Sequence, residues 1–123
     1  MYELMIEETF SAAHQIRKLK GPGGKIHGHN WKIQVFILSK DIDSNGISVE
    51  FGLLKKELRS AIEALDRSFI NEVFPFTEIN PTSENLSRWL YDTLSKKLDR
   101  EDQEISRIVV CEDNTVSATY FED

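Results

Sequence analysis

From Tyr2 to Ala12 the apolar side chains recur on alternate positions, at Tyr2, Leu4, Ile6, Phe10 and Ala12, the period of a strand with one buried face. His14 shares their parity. Gly21-Pro22-Gly23-Gly24 breaks the pattern and reads as a loop. A second alternation runs from about Gly28 to Leu38 on Trp31, Ile33, Val35 and Ile37, and His27 and His29 share its parity at the start. After the turn signal Asp43-Ser44-Asn45-Gly46 the period changes. Phe51, Leu54, Leu58, Ile62 and Leu65 recur at helical spacing. Asn80-Pro81-Thr82-Ser83 supplies the cap and first turn of a second helix, with Leu86, Leu90, Leu94 and Leu98 as its apolar stripe and Trp89 alongside. Glu104 to Glu112 and Val116 to Phe121 read as two closing strands joined at Asp113-Asn114. The order ββααββ predicts an α+β fold, a four-stranded antiparallel sheet with both helices on one face.

Composition narrows the function classes. At 123 residues the chain reads as one domain, 1–123, long enough to bury a core. A net charge of −6 argues against a nucleic-acid surface. The local cluster Arg17, Lys18, Lys20 and Lys25 leaves a small anionic ligand open, and a solvated loop accounts for it equally well. One cysteine, Cys111, excludes an internal disulfide framework and a multi-cysteine zinc site. It fits a reducing compartment, so a cytoplasmic location is expected. The acidic, alternating start Met1–Glu8 is unlike a signal peptide. No apolar run approaches a membrane span, so no membrane partner is expected.

The chemistry concentrates in three histidines, His14, His27 and His29, the only ones in the chain. On a strand, residues i and i+2 face the same way, so His27 and His29 aim at one point. Gly28 between them adds no side chain and leaves room for a backbone or ligand. If the first two strands pair antiparallel, the end of one meets the start of the other and brings in His14. Three imidazoles with an open fourth position form the catalytic type of zinc site. Glu112 follows Ile108, Val109 and Val110 in a strand, where an acid is costly without a partner. Cys111, its neighbour, faces the other way and is expected to pack as a small apolar residue.

With these residues in view, the chain resembles the 6-pyruvoyl-tetrahydropterin synthase family, and within it the bacterial 6-carboxy-tetrahydropterin synthases of queuosine biosynthesis. The resemblance rests on Phe10-Ser11-Ala12-Ala13-His14, His27-Gly28-His29-Asn30, Val49-Glu50-Phe51-Gly52, Leu65-Asp66, Asn80-Pro81-Thr82-Ser83-Glu84 and Glu112. It implies the tunnelling fold, whose subunits close a barrel as they form a ring, with two rings stacked and active sites between subunits. It further implies a homo-oligomer (a trimer or a hexamer), Zn²⁺ on His14, His27 and His29, and a pterin substrate held by Glu112 with Thr82 nearby. A carboxylate suits a pterin, whose guanidine-like edge offers two adjacent N–H donors to a bidentate pair.

The family's reaction takes a proton from carbon on the side chain of 7,8-dihydroneopterin triphosphate while zinc polarises the side-chain oxygens. Its base is a cysteine thiolate four residues before the His-Gly-His motif, aided by an Asp-His pair. Here Gly23 stands at the cysteine position, and Asp66 is followed by Arg67 in place of histidine. Arginine is permanently protonated and cannot relay a proton. Lys25 is the nearest titratable residue to the vacant position. The resemblance therefore implies a zinc-dependent pterin lyase with a diverged proton-transfer site. Two alternatives stand beside it: a dihydroneopterin aldolase-like enzyme, whose relatives carry glutamate at the cysteine position, and an inactive zinc- and pterin-binding paralogue.

Overall fold

The computed structural model describes residues 1–123. Its elements are β1 (Tyr2–His14), β2 (His27–Ser39), α1 (Phe51–Ile62), β3 (Ser68–Phe69), α2 (Ser83–Leu98), β4 (Gln103–Asp113) and β5 (Val116–Tyr120). The two alternating segments became the two longest strands, thirteen residues each. They pair antiparallel along their full length, from Tyr2 opposite Ser39 to His14 opposite His27.

The sheet departs from the expected four antiparallel strands. It has five, in the order β3-β1-β2-β4-β5, and it is mixed. The addition is β3, which lies parallel to β1 through Ala12 and Ala13. After α1 the chain turns at Arg67, in the left-handed region at φ 59°, and the Arg67 N–H donates to the Ser11 carbonyl at 2.6 Å. That hydrogen bond docks the following two residues onto the edge of β1. A two-residue strand is too short to produce any alternation, which is why the sequence pattern misses it.

One face of the sheet carries the core. Ile6, Phe10, Trp31, Ile33, Val35, Ile37, Ile108 and Val110 pack with Leu54, Leu58 and Ile62 of α1 and all four leucines of the α2 stripe in one buried cluster. Each fully buried leucine stabilises the fold by roughly 1.5–3 kcal/mol relative to an exposed one. The α1 stripe is shorter than its spacing suggests. Phe51 opens the helix 54% exposed, and Leu65 is buried just beyond its end. The Thr82 side chain accepts the Asn85 N–H at 3.1 Å and caps α2 as its position predicts. On β4 the register shifts between Cys111 and Asp113, so Glu112 is the extra residue of a bulge. No helix is long and apolar enough to cross a membrane.

Candidate metal centre

The pairing of β1 with β2 assembles the histidines. His14 lies opposite His27, and Ala12 lies opposite His29. Alternation then puts all three imidazoles on the core face, at the end of the sheet where the glycine loop connects the strands. Ring centroids stand 4.5 Å apart for His14 and His27, 4.8 Å for His27 and His29, and 5.2 Å for His14 and His29. Trp31 forms the floor, its ring edge-on to His14 at 4.8 Å and to His29 at 5.4 Å. Its indole N–H donates to the Ala12 carbonyl at 3.2 Å, which fixes the ring.

Hydrogen bonding assigns the tautomers. His14 Nδ1 faces the Pro81 carbonyl and His27 Nδ1 faces the Lys25 carbonyl, each at 2.7 Å. A carbonyl only accepts, so both Nδ1 atoms carry the proton and both Nε2 atoms present lone pairs. Those lone pairs point at each other across 3.0 Å. His29 Nε2 is buried with no hydrogen-bond partner. One candidate ligand atom from each ring lies within 4.8 Å of the others. Convergent lone pairs without protons between them repel, and a cation reverses the sign. Burial also holds the His14 pKa below the usual histidine value, outweighing the opposing effects of the Pro81 hydrogen bond and the Glu112 charge, so the ring stays in its neutral form. The residues fit a divalent metal that favours imidazole.

The segment leading to the carbonyl that orients His14 is anchored. The Asn80 side chain accepts the Arg17 N–H at 2.9 Å, and the Asn85 side chain donates to the Asn80 carbonyl at 2.9 Å. The Arg17 guanidinium fans onto the carbonyls of Phe76, Ile79 and Asn71 at 2.5, 3.1 and 3.3 Å. Pattern reading missed Pro81 and Lys25 as orienting groups because a backbone carbonyl has no residue-type signature.

A cavity of about 560 Å³ opens beside the histidines, lined by Gly23, His27, Thr82, Glu84, Glu112 and the start of β5. The candidate substrate residues Glu112 and Thr82 are thus together with His27. Glu112 Oε1 stands 3.4 Å from His14 Nε2, and its side chain is 28% exposed. Thr82 Oγ1 uses one lone pair to cap α2 and keeps its hydroxyl proton free.

Of the positions expected to transfer protons, one lies at the cavity and two do not. Gly23 is at the cavity wall, but a Cβ on it would come within 2.9 Å of Leu19 Cδ2. Asp66 and Arg67 are not among the residues lining the cavity. The Asp66 carboxylate accepts the Ser11 N–H at 3.1 Å and lies 3.6 Å from an Arg59 nitrogen, which also bonds Glu8 at 2.7 Å. Lys25 contributes its carbonyl, and its residue is exposed. Gly28 meets no close backbone; a Cβ there would find only the Ala12 carbonyl oxygen at 4.0 Å. Cys111 is half-buried opposite Lys32, in a small recess that also includes Asp113 and Ser117, and so is not in the apolar core.

Fold and site together describe a small α+β protein with a three-imidazole centre beside a carboxylate-bearing cavity. The model of the 6-pyruvoyl tetrahydropterin synthase family matches residues 3–123, and the chain belongs to that family. It is 35% identical over 96 residues to an Archaeoglobus fulgidus protein provisionally named 6-carboxy-5,6,7,8-tetrahydropterin synthase, covering 75% of each chain. It is 28% identical over 103 residues to the 6-carboxy-5,6,7,8-tetrahydropterin synthase of Bacillus subtilis, covering 80% of this chain and 68% of the other. The solved 6-pyruvoyl tetrahydropterin synthase of Caenorhabditis elegans shares the fold with a TM-score of 0.82 at 22% identity, over 99% of this chain and 96% of that one.

Proposed function

We propose that this protein is a zinc-dependent pterin lyase acting on 7,8-dihydroneopterin triphosphate or a close relative, with a diverged proton-transfer site. The observation that carries the reading is the convergence of the His14, His27 and His29 rings beside the cavity that holds Glu112 and Thr82. Names borne by the relatives, 6-carboxy-5,6,7,8-tetrahydropterin synthase and 6-pyruvoyl tetrahydrobiopterin synthase, agree with it.

Zinc bound there would supply a Lewis acid for substrate side-chain oxygens. The chain's own residues do the rest. Glu112 accepts two N–H donors from the pterin edge, and Thr82 donates its free hydroxyl proton to a ring acceptor. Trp31 and the buried end of the core exclude water from the His14 imidazole. Asp66, tied to Ser11 and Arg59, acts in this reading on the site of a neighbouring subunit, because it faces no histidine of its own chain.

Gly23 and Arg67 favour a second reading, an inactive paralogue that binds zinc and pterin without turnover. Cleavage of the aldolase type has less support, since no glutamate lies between His14 and His27. Anaerobic incubation of zinc-loaded protein with 7,8-dihydroneopterin triphosphate, with products resolved by mass, separates the three. Slow formation of a carboxy- or pyruvoyl-tetrahydropterin supports the lyase. A hydroxymethyl-dihydropterin identifies an aldolase, and bound but unchanged substrate identifies the paralogue.

A further inference from the structure

β3 ends at Phe69, and beyond it two asparagine side chains hold the backbone that follows His14. Asn71, only 8% exposed, accepts the Gln15 N–H through Oδ1 and donates to the Gln15 carbonyl through Nδ2, both at 2.8 Å. Asn80 clamps Arg17 in the same way, accepting its N–H at 2.9 Å and reaching its carbonyl at a longer 3.4 Å. We infer that Asn71 and Asn80 are positioning residues of the metal centre, fixing the Lys25 and Pro81 carbonyls that keep the Nδ1 protons on His27 and His14. The inference deepens the metal reading above and rests on it only for the effect on zinc affinity.

Each clamp reaches a histidine by a short route. Gln15, held at its backbone by Asn71, donates from Nε2 to the Gly24 carbonyl at 2.9 Å. The Ile16 N–H donates to the Gly23 carbonyl at 3.1 Å, so the two sides of this loop are joined twice. The residue after Gly24 is Lys25, whose carbonyl takes the His27 Nδ1 proton at 2.7 Å. On the other route, Asn80 directly precedes Pro81, whose carbonyl takes the His14 Nδ1 proton at 2.7 Å. The locked φ of proline carries the anchor at Asn80 forward with little slack.

The residue type fits this role better than it fits packing. An apolar side chain would fill the space of Asn71, but only a carboxamide offers a donor and an acceptor together to both backbone groups of one residue. Neither asparagine touches an imidazole, so each acts through a backbone carbonyl. The consequence lies in the tautomer. An imidazole that loses its carbonyl is free to rotate or to carry its proton on Nε2, and a protonated Nε2 has no lone pair for a metal. Orienting partners of metal-binding histidines matter for this reason.

The test reads the two rings separately. Proton–nitrogen NMR of the histidine rings is recorded on metal-free and zinc-loaded protein, and zinc affinity is measured by competition with a chromophoric chelator. Wild type is compared with Asn71→Ala, Asn80→Ala and Ser39→Ala. Ser39 is buried at the opposite end of the sheet, across from Tyr2, and controls for the loss of a buried polar group. Asn71→Ala should displace the Nδ1–H signal of His27 and spare that of His14, and Asn80→Ala should do the reverse. Each should bind zinc about tenfold more weakly, while Ser39→Ala matches wild type. If circular dichroism shows either asparagine variant misfolded, Gln15→Met replaces it, since it keeps the Asn71 pair and removes only the donor to Gly24, and the inference is judged on His27. Unmoved Nδ1–H signals overturn the inference, as do equal shifts of both rings in both variants, the pattern of general loosening. Displaced signals with wild-type zinc affinity overturn the role at the metal centre. A wild type that binds no zinc refutes the metal reading instead, and the ring signals of the metal-free protein then decide the inference alone.

Discussion

Leu19 occupies the space that a side chain on Gly23 would need, its Cδ2 lying 2.9 Å from the position of a Cβ there. The position expected to carry the family's thiolate thus has no side chain, and a neighbour takes the space one would need. Leu19 is 53% exposed and contacts Gly23 through the far end of its side chain, so it can swing aside at small cost. The second altered position, Arg67, already adopts a left-handed backbone at φ 59°, a region histidine tolerates comparatively well.

Restoring both groups should restore rate. Zinc-loaded wild type, Gly23→Cys, Arg67→His and the double variant are compared with 7,8-dihydroneopterin triphosphate. A positioned base contributes about 10²–10⁴-fold, and thiolate and imidazole act as a unit, so the double variant should gain activity beyond either single change. A wild-type rate that the double variant cannot exceed means another base is present.

Much of this site was legible in the residues. The parity of His14 with Phe10 and Ala12, and of His27 and His29 with Trp31, puts each ring on the buried face of its strand, and the antiparallel pairing of β1 with β2 brings the three to one end of the sheet. The α2 leucine stripe was legible from its helical spacing, and the Thr82 cap from its residue type at the helix start. What escaped had no local period. The two-residue β3 depends on one long-range hydrogen bond to Ser11. The Arg17 fan onto three carbonyls joins residues some sixty positions apart. Glu112 shares the parity of the buried Ile108 and Val110, so its approach to His14 was legible; the register shift of β4 against β5 was not, since neither strand states it alone.

Acid should destabilise the metal-free protein through His14. Burial lowers its pKa in the fold, so as pH falls the unfolded chain takes up this proton first. The contribution is fully present above the ordinary histidine value and is lost as pH drops below it. Thermal melts of chelator-treated protein should show a falling midpoint between about pH 7.5 and 5.5, with a shallower fall in His14→Gln. A flat or rising midpoint over that interval contradicts the assignment.

Pterin affinity should depend on Glu112 even when metal is saturating. Loss of a charge-assisted bidentate pair costs roughly 2–5 kcal/mol, partly because donors are left unpaired. Fluorescence titration of Glu112→Gln with neopterin, in excess zinc to compensate any weaker metal binding, should show that loss. Equal affinity in the variant moves the pterin pocket elsewhere.

The protein should assemble in solution, as a hexamer of two stacked trimers. β3 covers only Ala12 and Ala13 of the outer edge of β1, and β5 has no strand beyond it. Open edges favour pairing with another copy, and Tyr2, Met5 and Phe51 expose apolar surface along β1 and the start of α1. Light scattering at micromolar concentration should report a multiple of three chains. A monomer contradicts the prediction and removes any site shared between subunits.

The central claim is that three imidazoles hold one metal ion, and metal stoichiometry tests it most directly. Wild type and His27→Ala are reconstituted with zinc, freed of excess, and weighed by native mass spectrometry alongside elemental analysis. The account predicts one zinc per chain in wild type and far less in the variant, since losing one of three chelating rings removes most of the affinity. Equal zinc in the two proteins contradicts it.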